Sequence, residues 1–379
     1  MRPRSWLACA TGCTSCVKEA LLAKNPPKKS RSEQSCAIAL AYAKAISIQT
    51  GVRKISAIAA TDRLERLVRF KNYGLSLLKD YAILIALVLA IIVLAVVEPA
   101  FLTFRNLRNL LDQNAGIGII ASGMTYVIIG RGFDLSVSAT FAVSGIAAAL
   151  VSNASAPTVG LMSGVVIGTL IGLANGILIA RLQLNSFLIT LASSIVIRGC
   201  GIAMSGGYLI NVTENSYSTL GRGTVYGITY PSIAFILFVL ISMLVLHRTQ
   251  YGRYIFAVGG NEEAALLSGI RTKTIKGSTF AITGFAAALA GILLSSKVST
   301  GIPNSGSGIE LQAIAAVVLG GTSIGGGAGA IWRTVVGVFL LAIINNAFNI
   351  MNLEPYLREI VTGTIIILAV IANTLTGRK

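Results

Sequence analysis

Three cysteines near the N-terminus have the spacing of a cluster-binding loop in radical enzymes. Cys9, Cys13 and Cys16 form a C-x3-C-x2-C run, and thiolates are the usual ligands of iron–sulfur clusters. The run lies in a basic segment without the barrel that such enzymes require, so we expect inert thiols. We predict no catalytic residue, no metal site and no cofactor. A membrane-anchored enzyme is the alternative, and it predicts iron or zinc in the purified protein.

Glycine-rich sequence raises the possibility of nucleotide binding. The chain has no G-x-x-x-x-G-K-[ST] loop, so it is not itself a P-loop ATPase. The glycine cluster at residues 320–329 lacks the strand–turn–helix context of a phosphate loop. It is better interpreted as a tight turn that lets neighbouring backbones approach closely. The single histidine, His247, ends an apolar stretch and is interpreted as an interfacial anchor.

Polar side chains inside long apolar segments are the remaining candidates, because they are costly to bury in lipid. Asp134 and Glu310 each stand near the start of such a segment, so helix capping is the alternative interpretation. Arg198 could instead extend to the outer interface. Asparagines could equally hydrogen-bond one helix to another. The residues that we predict to line a polar path are Asp134, Asn175, Glu310, Asn345 and Asn346.

A polar stretch between two long apolar segments, residues 259–270, predicts a helix too short to cross a membrane. Asn261 suits an N-cap, Glu262 and Glu263 favour the positive start of a helix, and Gly269 suits its end. Such a helix of about eight residues would be roughly 12 Å long, and isolated helices of that length are marginal in water. We therefore expect it to rest on a surface, either of its own bundle or of a partner.

These features belong to a chain of 379 residues that is 54% hydrophobic and 12% charged, against about a quarter charged in soluble domains. No charged residue occurs between Asp134 and Arg181, and roughly 18 apolar residues suffice for a transmembrane helix. We predict an all-α polytopic membrane protein of about ten transmembrane helices. The predicted spans are 81–97, 113–130, 136–152, 157–180, 186–204, 229–247, 277–296, 309–321, 331–348 and 357–375. The spans at 113–130 and 309–321 are short and glycine-rich, so either could be broken or re-entrant.

The distribution of charge predicts the orientation. The net charge of +17 is concentrated near the N-terminus, where 15 of the 31 basic residues fall in the first 80 positions. Lys and Arg accumulate on the cytoplasmic side, so we attribute the charge to topology and expect no nucleic-acid partner. Both termini and the loop 249–276 are predicted to be cytoplasmic. Residues 1–63 are predicted to be a basic, poorly structured extension, and residues 64–379 the transmembrane domain.

Two four-residue stretches share the pattern G-x-acid-L, namely residues 132–135 and 308–311. Each opens a span rich in small residues, and an odd number of predicted spans separates them. The two copies would therefore cross the membrane in opposite directions, as in transporters built from inverted repeats. Chance similarity remains the alternative for so short a repeat.

Three longer stretches resemble the permeases of bacterial ABC importers for monosaccharides, the ribose/xylose/galactose group. They are residues 132–137, 259–270 and 308–323, and the glycine-rich turn that runs into Trp332 matches as well. The resemblance extends from about Leu64 to the C-terminus. It departs from the family at Arg131, where a glycine is common, at Ser138 and Ala139, and at Arg333, where glycine usually follows the tryptophan.

The resemblance implies a permease of the bacterial inner membrane that translocates a monosaccharide or similar small polar solute. It implies a homodimer, a separate ATP-binding cassette subunit on the cytoplasmic side and an extracytoplasmic sugar-binding protein. It also implies that residues 259–270 hold the coupling helix that docks into the ATPase. The predicted docking residues are Asn261, Glu262, Glu263, Ala264, Ala265, Leu267, Ser268 and Gly269. A stand-alone secondary carrier or channel is the alternative function.

Overall fold

The computed structural model describes residues 41, 44, 81, 83–351, 354, 356–357, 360–365, 367 and 371. Contacts divide the chain into two units, Met1–Lys79 and Asp80–Lys379. The prediction for residues 1–63, including the cysteine run, falls outside the described residues except at Ala41 and Lys44, both helical and exposed.

Helices make up nearly all of the described unit. In chain order they are α1 (Ile83–Val97), α2 (Phe104–Ile129), α3 (Val137–Ala154), α4 (Pro157–Leu182), α5 (Ser186–Ser205), α6 (Thr219–Arg222), α7 (Tyr230–Arg248), α8 (Gln250–Gly260), α9 (Glu262–Leu267), α10 (Thr272–Val298), α11 (Ile309–Leu319) and α12 (Ile331–Ile350). Short 3-10 helices cover Pro99–Leu102 and Asn215–Ser218. Two antiparallel pairs of two-residue strands join β1 (Ile210–Asn211) to β4 (Thr300–Gly301) and β2 (Thr224–Val225) to β3 (Ile228–Thr229).

Helices overlap nine of the ten predicted spans, and the tenth, 357–375, lies mostly outside the described residues. Among the described residues, six helices are long and apolar enough to cross a membrane, namely α3, α4, α5, α7, α10 and α12. Helix α2 is continuous over 26 residues, so the span at 113–130 is not broken. Helix α11 has 11 residues, or about 17 Å at the standard rise, which is too short for a core of about 30 Å. The short helix agrees with the prediction of a broken or re-entrant segment at 309–321.

The centre of the bundle is built on a stripe of small residues. On α4, glycines 160, 164, 168, 172 and 176 recur every fourth position and all are buried. A methyl group on Gly164 would meet the Ser144 carbonyl oxygen of α3 at 2.5 Å, and one on Gly284 of α10 would meet the Cα of Gly172 at 2.7 Å. Without Cβ atoms the three backbones approach closely, which compensates for the weak hydrophobic drive between helices in lipid.

The outer faces of several helices are apolar and exposed. On α5 only 11% of the span is buried, and on α4 only 33%. Leu188 and Ile195 of α5 are 61% and 70% exposed. Such faces are costly in water and favourable in lipid. The chain is an all-α polytopic membrane protein, as predicted.

Candidate functional site

Helix α9 is capped at both ends by the predicted residues. At its start, Oδ1 of Asn261 accepts a hydrogen bond from the amide of Ala264 at 3.0 Å, and Glu262 and Glu263 occupy the first turn. At its end, Gly269 has a left-handed φ of +82°. The amides of Gly269 and Ile270 donate to the carbonyls of Leu266 and Ala265, which is the Schellman arrangement. The helix has six residues instead of the predicted eight.

One side chain of α9 is buried against the bundle, and its two leucines face outward. Ala265 is 5% exposed, whereas Leu266 and Leu267 are 61% and 89% exposed. Glu262 makes an ion pair with Lys276 of α10 at 3.1 Å, while Glu263 is exposed and makes no ion pair with the described residues. Both leucines are therefore available for contacts outside the bundle.

The helix before α9 is held by the closest backbone packing at this end of the bundle. A methyl group on Gly259 of α8 would overlap the carbonyl oxygen of Ile129, the last residue of α2, and would lie 2.8 Å from the amide nitrogen of Gly327. That amide itself donates to the Ile129 carbonyl at 2.9 Å. The cluster at 320–329 therefore acts as predicted, bringing backbones together, and it links the start of α9 to α2.

Two further contacts fix α8 to its neighbours. The hydroxyl groups of Tyr251 and Ser278 of α10 lie 2.7 Å apart. Burial raises the pKa of the Tyr251 hydroxyl above its usual value, so this group stays neutral. His247, at the end of α7, stacks on Phe256 with ring centroids 6.1 Å apart. These contacts give the α8–α9 segment defined positions on both α7 and α10.

Beside α9 lies a cleft of about 760 Å³ with mixed charge on its walls. The carboxylates come from Glu262 and Glu263. The basic residues that line it are Arg131, Arg271, Lys273 and Lys276. Leu266 also lines the cleft, so the cleft adjoins the exposed face of α9.

Asp134 and Asn175 are brought together by one buried network. Oδ1 of Asp134 accepts from both the amide and the hydroxyl of Ser136, at 3.0 and 2.6 Å. The side-chain amide of Asn175 donates to the Ser136 hydroxyl at 2.9 Å, and Ser193 donates to Asn175 at 2.6 Å. The network joins the start of α3 to α4 and α5. Asp134 is not the N-cap of α3, because that position is held by Ser136, which makes no side-chain cap hydrogen bond. Oδ2 of Asp134 has no hydrogen-bond partner among the described residues.

The other ionisable candidates lie elsewhere. Glu310 is in the first turn of α11, and its buried Oε2 has no hydrogen-bond partner in the described part of the chain. Arg198 donates to the Ser138 hydroxyl of α3 at 3.3 Å, so its side chain bridges two helices and does not extend freely to an interface.

Asn345 and Asn346 line a second cavity, of about 350 Å³, at the opposite end of the bundle from α9. Helix α10 connects the two ends: it begins beside α9 and carries Lys297 to the cavity wall over a helix of 27 residues, roughly 40 Å. Asn346 exchanges two hydrogen bonds of 3.0 Å with Asn106 of α2.

The cavity contains functional candidates that the sequence predictions missed. Lys297 makes an ion pair of 2.6 Å with Asp112, whose other oxygen accepts from the Thr229 hydroxyl at 2.6 Å. The further missed polar residues are Gln113, Asn114, Gln312 and Asn349. One signal was available, since Asp112 and Lys297 flank predicted spans directly and have opposite charges. Nothing in the sequence indicates that residues 185 positions apart are paired.

The two arginines that replace glycines common in the family, Arg131 and Arg333, have different backbone conformations. Arg131 adopts a left-handed φ of +65° directly after α2, with Schellman hydrogen bonds from Arg131 to Ile128 and from Gly132 to Val127. This is the position at which glycine is favoured. Arg333 lies in the first turn of α12 and is not among the residues with a positive φ, so the backbone there does not require glycine. Its guanidinium stands 5.5 Å from the Trp332 ring centroid.

Among the described residues, no group of three His, Cys, Asp or Glu side chains is placed to hold a metal ion. The free thiol of Cys200 lies on the exposed face of α5. The cysteine run at 9–16 lies outside the described part.

Comparison with known proteins identifies the family. The profile described as "branched-chain amino acid transport system / permease component" matches residues 106–370, well over half of the chain. The chain is 39% identical to the ribose import permease of Bacillus subtilis (strain 168) over 76% of this chain and 91% of that protein. It is 37% identical to the ribose import permease of Escherichia coli (strain K12) over 76% and 92%. It is 35% identical to the L-arabinose transport system permease of the same strain over 77% and 89%.

No solved structure matches the chain. The relatives are transport subunits and not enzymes, and a permease of an importer with several apolar helices is a multi-pass protein of the inner membrane. The match over residues 106–370 and the identities of 35–39% over most of each relative lead to one conclusion: the chain belongs to the permease family of ABC importers that includes the ribose and L-arabinose permeases.

Proposed function

We propose that this chain translocates a monosaccharide or a similar small polar solute, and that helix α9 couples it to a separate ATPase subunit. The observation that carries the proposal is the exposed face of α9. A six-residue helix is unstable alone, yet this one is capped at both ends and presents leucines that are 61% and 89% exposed. Two exposed leucines beside the carboxylate of Glu263, which is unpaired among the described residues, suit a groove on another protein.

The backbone contacts behind α9 support a mechanical role. Gly259 packs directly on the end of α2 and on the loop of Gly327, and α2 continues for 26 residues toward the opposite end of the bundle. A push on α9 would therefore reach α2 without passing through a flexible loop. Closure of the ATPase would move α8 and α2 together, and this movement would open and close the path in alternation.

The named relatives and the polarity of the cavity indicate the class of solute. The curated relatives are named for ribose and L-arabinose, whereas the family description names branched-chain amino acids. The cavity beside Asn345 and Asn346 is lined by amide side chains, which suit hydroxyl groups. We propose a homodimer with cytoplasmic termini that receives its solute from an extracytoplasmic sugar-binding protein, with a path that passes Asp134, Asn175, Glu310, Asn345 and Asn346.

The test reverses the charge at the docking face. Glu263→Arg leaves every cap and packing contact of α9 in place, because the side chain is exposed. We expect the variant to reach the membrane normally but to lose at least about tenfold in ATP-driven uptake, since a reversed charge in an interface costs on the order of 1.4 kcal/mol or more.

The matched control is Glu214→Arg, an exposed glutamate in the loop before α6, which should leave uptake unchanged. Uptake by Glu263→Arg at the full rate would contradict the coupling role. Solute flux through the purified chain in vesicles without ATPase or ATP would instead favour a stand-alone carrier.

A further inference from the structure

We infer that the cleft of about 760 Å³ beside α9 binds a phosphate group, carried either by a phospholipid headgroup or by a soluble phosphate ester. The site lies at the end of the bundle opposite the amide-lined cavity, so it is separate from the path of the transported solute. The inference goes beyond the proposed function, because it assigns a second ligand to the chain. It concerns binding by the permease itself and does not depend on an ATPase.

Positive charge exceeds negative charge on the walls of the cleft. The basic side chains that line it are Arg131, Arg271, Lys273 and Lys276, and the acidic ones are Glu262 and Glu263. The ion pair of 3.1 Å between Lys276 and Glu262 neutralises one charge of each sign. Three cations and the carboxylate of Glu263 remain, so the described lining has a net charge of +2. This charge matches that of a phosphate monoester.

The three remaining cations are available to a ligand. Arg131, Arg271 and Lys273 are exposed, and their side chains make no ion pair or hydrogen bond with the described residues. The planar guanidinium of an arginine donates two parallel hydrogen bonds to a phosphate, and a lysine adds a point charge. Two arginines and one lysine around a single cleft can therefore recognise a phosphate group by geometry as well as by charge.

The start of α10 contributes to the same attraction. Its first residues, Thr272, Lys273 and Thr274, all line the cleft, and its cap residue, Arg271, makes no side-chain hydrogen bond with the helix. The N-terminus of a long helix carries a partial positive charge and attracts anions. The helix start and the three cations thus favour a ligand of the same sign.

Arg131 occupies its position at a cost in backbone strain. Its φ of +65° is left-handed, a conformation that favours glycine, and glycine is common at this position in the family. Strained residues persist mainly at functional sites. Binding of an anion in the cleft is a function that accounts for an arginine where glycine would be more stable.

The surroundings of the cleft give access to both sources of phosphate. Ile179, Ala180 and Gln183, at the end of α4, line it, and Leu182 beside them is 61% exposed. Lipid covers such an apolar face, and basic pockets between transmembrane helices bind anionic headgroups. Helix α9 lines another part of the cleft, and its exposed polar face leaves room for a soluble ester to enter.

The test measures two probes on the full chain, purified in an uncharged detergent. Equilibrium dialysis measures the binding of labelled ribose 5-phosphate with and without excess unphosphorylated ribose, and native mass spectrometry counts bound phosphatidylglycerol. The variants are Arg131→Gln and Arg271→Gln, which remove one charge each but retain an amide donor. The matched control is Arg253→Gln on α8, an exposed arginine that does not line the cleft.

We expect at least one probe to bind, and each of the two cleft variants to weaken its binding about tenfold, the effect of one lost charge-assisted hydrogen bond. The control should bind as the unaltered chain does. Glu263→Gln removes the carboxylate that is left unpaired in the described lining, so it should tighten binding about two- to fivefold. Because a misfolded variant would not bind more tightly, this gain separates recognition from damage to the fold.

The probes also distinguish the two sources of phosphate. Binding of ribose 5-phosphate identifies a soluble ester and binding of phosphatidylglycerol identifies a headgroup, and either result supports the inference. Absence of binding for both probes, binding that is unchanged in both arginine variants, or displacement by unphosphorylated ribose would overturn it.

A third outcome would assign the cleft to a protein partner. If neither probe binds but both arginine variants lose the ATPase subunit, the cleft receives an acidic segment of that subunit and the phosphate inference is wrong. Uptake by Glu263→Arg tests the coupling role independently, so the two proposals can fail separately.

Discussion

The contact between Gly259 and Ile129 can be tested by adding a single methyl group. In Gly259→Ala the new Cβ would overlap the Ile129 carbonyl oxygen and lie 2.9 Å from the carbonyl carbon and 2.8 Å from the Gly327 nitrogen. All three atoms belong to backbone, so no side chain can rotate away. Helix α8 would have to move off the end of α2.

Two opposing effects determine the change in the free energy of unfolding. Overpacking of this kind costs about 1–3 kcal/mol, and the higher helix propensity of alanine returns up to about 1 kcal/mol. The net loss should be about 1–2 kcal/mol, which corresponds to roughly 2–8 °C in the midpoint of thermal denaturation of the detergent-purified protein. The adjacent Gly260→Ala is the matched control, since nothing lies within 4 Å of its added methyl group. It should denature at the same temperature or higher.

The same pair of variants tests the mechanical link. Displacement of α8 also displaces α9, so Gly259→Ala should lower ATP-driven uptake more than it lowers the amount of folded protein in the membrane. Gly260→Ala should preserve both. If the two alanine variants have equal midpoints and equal uptake, the close approach of α8 to α2 does not position α9, and the reasoning is refuted.

Two further predictions concern stability and are checked by thermal denaturation in detergent. Arg131→Gly should raise the free energy of unfolding by about 1 kcal/mol, because Arg131 holds a left-handed φ of +65°; Arg253→Gly, in the right-handed helix α8, should lower it by about the same amount. Lys297→Met should cost about 1–3 kcal/mol by leaving Asp112 without its cation. Asp112→Asn combined with Lys297→Met should recover most of that loss, and a double variant less stable than the single one would contradict the ion-pair explanation.

Helix α9 was predicted almost completely from sequence because its signals are local. The cap of Asn261 and the stop of Gly269 act on amides and carbonyls within three or four residues. The glycine spacing on α4 is likewise visible in the sequence. By contrast, the continuity of α2 was underestimated, because charged and amide residues in its first half, such as Arg105 and Asn106, lower the hydropathy on which span prediction depends.

The residues predicted to line a path lie in more than one place in the bundle, and their role stays a prediction. Asn345 and Asn346 lie on the cavity, whereas Asp134 and Asn175 belong to a separate buried network. Composition identifies polar residues in apolar segments, but it does not show which of them face one another. The cavity amides Gln113, Gln312 and Asn349 were missed because isolated amides carry no motif.

The sequence by itself determined the membrane location, the all-α class, the approximate spans and the cap residues of α9. Each of these follows from hydropathy summed over one segment or from hydrogen bonds between near neighbours. Only the tertiary structure decided that Asp112 pairs with Lys297, that Gly259 rests on the end of α2, and that amides from three helices surround one cavity. These contacts join residues far apart in the chain, and they depend on how the helices pack, which no local pattern encodes.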